Sequence, residues 1–193
     1  VDRDAIVLQL RANVKSQAEV VAGEDDTDTV DLNKIVSKVK KTRFKAKDRR
    51  RVKTFDYAKG KLTLNLRIPN VLIDGIVNEH FKDKISPALK KGRKHIEKQV
   101  DTVLSTVYFL EISKYIETID VTRDGALTTI GFDDPDSLDA SLELLEKLPS
   151  SIVAEASNYI QDIKQWRDTA FSYVDGNGTV KPVNVDISLF TGI

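Results

Sequence analysis

The sequence predicts an α+β fold, in which a long central helix and shorter helices are accompanied by two β-hairpins. Apolar and polar residues alternate with a period of two at residues 62–68 and again at 183–187, which is typical of strands with one buried face. Between these segments, apolar residues recur three and four positions apart, which is typical of amphipathic helices. Separate runs of strands and helices indicate an α+β protein.

The first hairpin is predicted over residues 54–68. Lys59 and Gly60 supply its turn, and Pro69 ends its second strand because proline cannot donate a hydrogen bond to a neighbouring strand. The alternation leaves four apolar side chains on the face expected to be buried: Leu62, Leu64, Leu66 and Ile68.

The central helix is predicted from about residue 93 to residue 119, a length of roughly 40 Å at 1.5 Å per residue. Such a helix is expected to be the spine on which the shorter elements pack. Those elements are helices at 72–81, 138–148 and 150–166, and a short strand at 126–132 after a tight turn at 123–125.

The second hairpin is predicted over residues 171–193, with its turn at 175–178, where glycine and asparagine adopt a positive φ at little cost. Val183, Val185 and Ile187 alternate after that turn. We therefore expect an N-terminal segment at 1–68 and a helical region at 69–193, either as two domains or as one.

The chain opens with a predicted amphipathic helix. Asp2 or Asp4 caps its start, since a carboxylate accepts hydrogen bonds from free backbone N–H groups. Arg3 and Arg11 are expected to face water. The face expected to be buried carries Ile6, Val7 and Leu10.

Charge is balanced over the whole chain but unevenly distributed along it. Thirty Lys and Arg residues match thirty Asp and Glu residues, so no net field attracts nucleic acid or a membrane surface. Residues 19–31, predicted to be an exposed loop, are acidic, whereas residues 38–53 contain ten Lys or Arg residues and one Asp. Three interpretations of the basic stretch are open: nucleic-acid binding, contact with an acidic protein surface, or plain solvation.

The basic stretch favours a protein partner over nucleic acid, because Phe44 is the one aromatic residue among its charges and stacking needs several. The apolar C-terminal segment either returns to the chain's own core or enters a partner's groove. The candidate partner-contact residues are Lys38, Lys40, Lys41, Arg43, Lys45, Lys47, Arg49, Arg50, Arg51, Leu189 and Phe190.

Catalysis, cofactor binding and metal binding are not expected. The chain has no cysteine, which removes thiol nucleophiles, disulfides and cysteine zinc sites. Neither His80 nor His95 has a carboxylate at metal-ligand spacing. The phosphate-binding, dinucleotide-binding and serine-hydrolase glycine motifs are missing, and the apolar runs are too short to cross a bilayer.

Four short motifs carry a resemblance to a known family. They are VDRDAIVLQLR at 1–11, DLNKI at 31–35, EISKYIETI at 111–119 and ISLF at 187–190. In these motifs and their order the chain resembles the T4-type bacteriophage baseplate hub and hub assembly proteins. Members of that family often carry cysteine pairs suggestive of a zinc site, and this chain has none.

The resemblance implies a non-enzymatic structural or assembly component of a contractile phage tail baseplate. It implies other tail or baseplate proteins as partners, and a place in the virion after assembly in the host cytoplasm. The alternative left open by the residues is a nucleic-acid-binding accessory protein that acts through residues 38–53.

Overall fold

The computed structural model describes residues 2–21, 27–42, 49–87 and 100–183, and it has both helices and antiparallel strands, which confirms the α+β class. The helices are α1 (Asp2–Val14), α2 (Leu32–Lys41), α3 (Val71–His80), α4 (Val100–Ser113), α5 (Leu138–Lys147) and α6 (Ser150–Ala170). A π-helical turn, Phe81–Ile85, continues α3. The strands are β1 (Gln17–Val21), β2 (Thr27–Asp31), β3 (Arg50–Tyr57), β4 (Gly60–Arg67), β5 (Ile116–Arg123), β6 (Ala126–Gly131), β7 (Ser172–Val174) and β8 (Val180–Pro182).

The chain divides into two compact units. One comprises Val1–Phe44 and Asp162–Ile193, and the other comprises Lys45–Gln161. The boundary predicted at residues 68 and 69 lies inside the second unit, between β4 and α3.

The second unit is built on a four-stranded antiparallel sheet with the order β3-β4-β5-β6. The first predicted hairpin is confirmed as β3 and β4, but its turn lies one residue earlier than expected, at Ala58 and Lys59, both with positive φ. Gly60 instead begins β4. A Cβ atom at that position would lie 2.1 Å from the carbonyl oxygen of Thr122 on β5, so the close approach of these strands requires glycine.

The apolar face predicted for β4 is confirmed at Leu62, Leu64 and Leu66, which are buried. Ile68, the fourth predicted member, lies just after the end of β4 and is half-buried. The opposite face of the sheet is polar and cross-linked by side chains. Asn65 Nδ2 donates to Thr118 Oγ1 and to Asp120 Oδ2, each at 2.8 Å. Such cross-strand pairs stabilise the register on the side of the sheet away from the core.

The C-terminal end predicted for the central helix is wrong. Helix α4 ends at Ser113, and residues 116–119 begin strand β5. Ile116 and Ile119 are both buried although they are three residues apart, because the pairing of β4 with β5 shifts register between Asn65 and Leu66. A bulge thus gives this strand the spacing of a helix. The predicted start near residue 93 lies outside the described residues.

The expected strand at 126–132 and the turn before it are confirmed as β6 and the Asp124–Gly125 turn, where both residues have positive φ. Helices α3, α5 and α6 also confirm their predictions. The apolar stripe predicted for the helix at 138–148 is buried throughout: Leu138, Leu142, Leu145 and Leu148.

The first unit packs α1, α2, β1, β2 and the C-terminal hairpin around its own core. The expectation of an exposed acidic loop at 19–31 is wrong where the structure describes it, because β1 and β2 form a hairpin in which Ala18 pairs with Val30 and both are buried. Asp31 then caps α2 by accepting a hydrogen bond from the Asn33 N–H at 3.0 Å. The core consists of Leu8, Ala12, Ala18, Val30, Leu32, Ile35, Val36, Val39, Ala170, Phe171 and Val183.

The C-terminal hairpin is confirmed over β7 and β8. Asp175 organises its turn, since Oδ1 accepts from the N–H groups of Asn177 and Thr179 at 2.9 and 2.8 Å. The predicted continuation of the alternation through Val185 and Ile187 lies outside the described residues.

The buried face predicted for α1 is wrong. Ile6 and Leu10 are 61% and 58% exposed, whereas Asp4, Leu8, Arg11 and Ala12 are buried. The two buried charged groups have polar partners: Asp4 Oδ2 lies 3.1 Å from Arg167 Nη2, and Arg11 Nη1 donates to the Lys15 carbonyl at 3.3 Å. Burial of a charge is tolerated where such partners exist.

Candidate interaction surfaces

The first part of the basic stretch is the C-terminal end of α2. Lys38 Nζ donates to Ser172 Oγ at 2.5 Å, so this lysine links α2 to the start of β7 within the first unit. Lys40 and Lys41 are exposed. Cations at the C-terminal end of a helix also interact favourably with the helix dipole, so these lysines have a structural role that needs no partner.

The second part of the basic stretch is ion-paired within the second unit. Arg50 Nη2 lies 2.9 Å from Glu117 Oε1, and Arg51 Nη1 lies 3.5 Å from Glu155 Oε1. Arg51 also places its guanidinium carbon 5.0 Å from the ring centroid of Tyr159, at cation–π distance. These contacts attach the first residues of β3 to β5 and α6, and they neutralise two of the cations.

Tyr159 completes this contact from the core side. Its ring is fully buried, and its hydroxyl donates to the carbonyl oxygen of Arg49 at 2.7 Å. Two residues of the arginine run, Arg49 and Arg51, therefore contact the buried Tyr159 and have a structural role.

The predicted contact residues that the structure describes are divided between the two compact units. Lys38, Lys40 and Lys41 belong to the first unit, and Arg49, Arg50 and Arg51 to the second. The remaining candidates lie outside the described residues: Arg43, Lys45, Lys47, Leu189 and Phe190.

A cleft that the sequence did not single out lies between α3 with its π-helical turn, α4 and α5. It measures about 390 Å³ and has apolar walls from Ile85, Val103 and Leu142. A second cleft of about 320 Å³ shares three of its residues, namely His80, Lys84 and Asp139. Together the clefts form a groove along the helical side of the second unit.

Asp139 lies where the two clefts meet and contacts two neighbouring side chains. Asp139 Oδ1 lies 3.4 Å from His80 Nε2, and Asp139 Oδ2 lies 3.5 Å from Lys84 Nζ. The His80 side chain is 10% exposed and the Asp139 side chain 63%, so the histidine is largely removed from solvent while the carboxylate remains in contact with it. This arrangement ties α3 to α5 and gives His80 a structural partner.

The rim of the groove is acidic. Glu79 and Asp83 are one helical turn apart, and so are Asp139 and Glu143; these side chains line the two clefts. The sequence shows that each pair is one helical turn apart, and this could have predicted an acidic face on each helix. It could not predict that both acidic faces line the same groove. Among the described residues, no group of three or more His, Asp or Glu side chains is placed to hold a metal ion.

Large apolar side chains are exposed at several places. On α1, Ile6, Leu10 and Val14 follow one another at intervals of one helical turn. Val71 and Leu72 are exposed at the start of α3. Exposed apolar groups that share one face are typical of surfaces that contact other proteins.

No helix in the described part of the chain is long and apolar enough to cross a membrane. Comparison with protein-family models, with curated proteins and with solved structures finds no match to this chain.

Proposed function

We propose that this chain is a non-enzymatic structural or assembly component of a contractile phage tail baseplate, which acts through contacts with other tail or baseplate proteins. The virion, after assembly in the host cytoplasm, is its proposed location. The proposal starts from the motif resemblance at 1–11, 31–35, 111–119 and 187–190.

The observation that carries the choice of protein over nucleic acid is the pairing of the arginine run. Arg50 and Arg51 are already paired with Glu117 and Glu155. Phosphate binding draws its affinity from cations that release counterions, and an arginine held by a carboxylate contributes less to that release.

The exposed apolar side chains of α1 support the same choice. Ile6, Leu10 and Val14 form a stripe whose exposed apolar area would be buried against a partner in an assembly. Burying one such side chain stabilises a complex by about 1.5–3 kcal/mol before the cost of association is subtracted.

Disruption of the gene in the phage that encodes it tests the proposal. We expect particles without complete baseplates in negative-stain electron micrographs, and normal tails when the wild-type chain is supplied from a plasmid. Normal tails in the absence of the chain would contradict the proposal.

Titration with short single- and double-stranded DNA at about 0.15 M salt tests the alternative. We expect no sub-micromolar binding, since arginines already held by carboxylates contribute less to counterion release. The matched control carries Lys40→Glu and Lys41→Glu, which removes the two exposed lysines at the end of α2. Sub-micromolar binding that this control loses would instead establish nucleic-acid binding.

A further inference from the structure

The two outer strands of the four-stranded sheet differ in charge. β3 has the sequence RRVKTFDY, with charged residues at four of eight positions, whereas β6 has the sequence ALTTIG, with none. Charged residues and prolines protect outer strands, because free backbone N–H and C=O groups otherwise pair with a strand from another chain. β6 lacks the protection that β3 has.

The hairpin register identifies the backbone groups of β6 that point away from the sheet. Arg123 and Ala126 pair across a two-residue turn, so the N–H and C=O of Ala126 point toward β5. The direction alternates along a strand, so Leu127, Thr129 and Gly131 direct theirs outward. Within the part of the chain that the structure describes, β6 pairs with β5 alone.

We propose that β6 pairs antiparallel with β6 of a second copy of this chain and joins the two sheets into one of eight strands. Outward-pointing groups must face each other, which places Thr129 opposite Thr129 of the second copy and Leu127 opposite Gly131 of the second copy. Opposed residues of antiparallel strands lie on the same face, so the helices of both copies stay on one side of the joined sheet. The arrangement is two-fold symmetric, as in most homodimers.

Leu127 and Gly131 fit each other in this register. Leu127 is 65% exposed, and a Cβ atom at Gly131 would meet no other atom within 4 Å. Leu127 of each copy therefore has room beside Gly131 of the other. Two leucines would lose exposed apolar area with no rearrangement of the strand.

Charges in the row of the sheet that contains Thr129 do not oppose the pairing. Asp120, which accepts a hydrogen bond from Thr129 Oγ1 at 2.8 Å, is the charged residue in that row of the sheet. The two copies of Asp120 would be three strand spacings apart, roughly 14 Å. That separation exceeds the Debye length of about 8 Å at physiological salt.

The pairing goes beyond the proposed function and does not depend on it. A single pair of short strands is a small interface, so we expect a reversible dimer at the weak end of the range for specific complexes.

Analytical ultracentrifugation of the full chain from roughly 1 to 500 µM covers the expected range of affinity. We expect wild type to shift from monomer to dimer with concentration. Thr129→Lys and Thr129→Glu each place like charges opposite each other at the two-fold axis, so each variant alone is expected to dimerise roughly fivefold or more weakly. An equimolar mixture of the two variants is expected to recover a dimer, with one variant isotopically labelled so that the heterodimer is identified by mass.

Thr54→Lys is the matched control, because Thr54 occupies the same row of the sheet on the other outer strand. We expect it to dimerise like wild type. Recovery in the mixture requires both variants to be folded, so it separates loss of pairing from loss of fold. A wild type that stays monomeric, single variants that dimerise like wild type, or a mixture that stays monomeric would each overturn the proposal.

Discussion

Helices α1 and α5 each bury one face. The spacing of apolar residues predicts the buried face correctly in α5 but not in α1. In α5 the buried positions Leu138, Leu142 and Leu145 form the stripe that helical spacing indicates. In α1 the buried side includes Asp4 and Arg11, while Ile6 and Leu10 lie in solvent. Apolar residues occur on both sides of α1, so their spacing does not select the buried face, and we expect the contact of Asp4 with Arg167 to help select it.

The largest test compares two leucines of α1 that are two positions apart. Leu8 is fully buried and Leu10 is 58% exposed. We expect Leu8→Ala to lower the free energy of unfolding by about 2–5 kcal/mol through lost burial and a cavity. Leu10→Ala is expected to change it by about 0.5 kcal/mol or less. Urea unfolding followed by circular dichroism measures both, and a larger loss for Leu10→Ala would reverse the assignment of the buried face.

The next test removes the buried carboxylate of α1. Asp4→Ala leaves the contact with Arg167 unmade and is expected to lower the free energy of unfolding by about 1–3 kcal/mol. Asp4→Asn, which keeps the shape and one acceptor, is the matched control and should cost less. The same urea titration reports both variants. If Asp4→Ala unfolds at the wild-type urea concentration, polar partners do not determine which face of α1 is buried.

The smallest expected effect concerns the Asp175 turn of the C-terminal hairpin. The backbone N–H of Thr179 foremost, and Lys181 next, lower the pKa of Asp175 below its ordinary value of 3.8. A lowered pKa in the folded state stabilises the protein above the unfolded pKa, and this contribution is lost as the pH falls through the folded value. We expect wild type to be more stable than Asp175→Asn at pH 7, with the difference vanishing well below pH 4.

Thermal unfolding from pH 7 down to pH 2 measures that difference. Lys181→Gln removes the second contributor and serves as the control, since Thr179 still donates to Asp175. A gap between wild type and Asp175→Asn that stays constant with pH would contradict the lowered pKa.

The local spacing of apolar residues was sufficient to predict an element and its buried face where that element packs on one core. The same spacing was misleading where contacts between residues distant in sequence determine the structure. The stripe of α5 and the alternation of β4 follow from spacing alone. The spacing of Ile116 and Ile119 predicts a helix, but a bulge in the pairing with β4 gives a strand the same three-residue spacing. The bulge depends on the pairing of two strands that are distant in sequence, so no short segment of the sequence indicates it.

Prediction of the candidate surfaces from the sequence was limited in the same way, by contacts between residues that are distant in sequence. Arg50 is 67 positions from its partner Glu117, and Arg51 is 104 positions from Glu155. Charge composition left open whether the basic stretch contacts nucleic acid, protein or solvent, and it could not identify the carboxylates with which Arg50 and Arg51 pair. The exposed position of β6 likewise depends on the order of strands in the sheet, which no single segment specifies.

The order of strands in that sheet also has a kinetic consequence. β3 with β4, and β5 with β6, are hairpins joined by two-residue turns, and such hairpins form in about 1–10 µs. Pairing of β4 with β5 must instead close a loop of about fifty residues, which carries a larger entropic cost. We therefore expect the pairing of β4 with β5, and not the formation of either turn, to limit the rate at which the sheet folds.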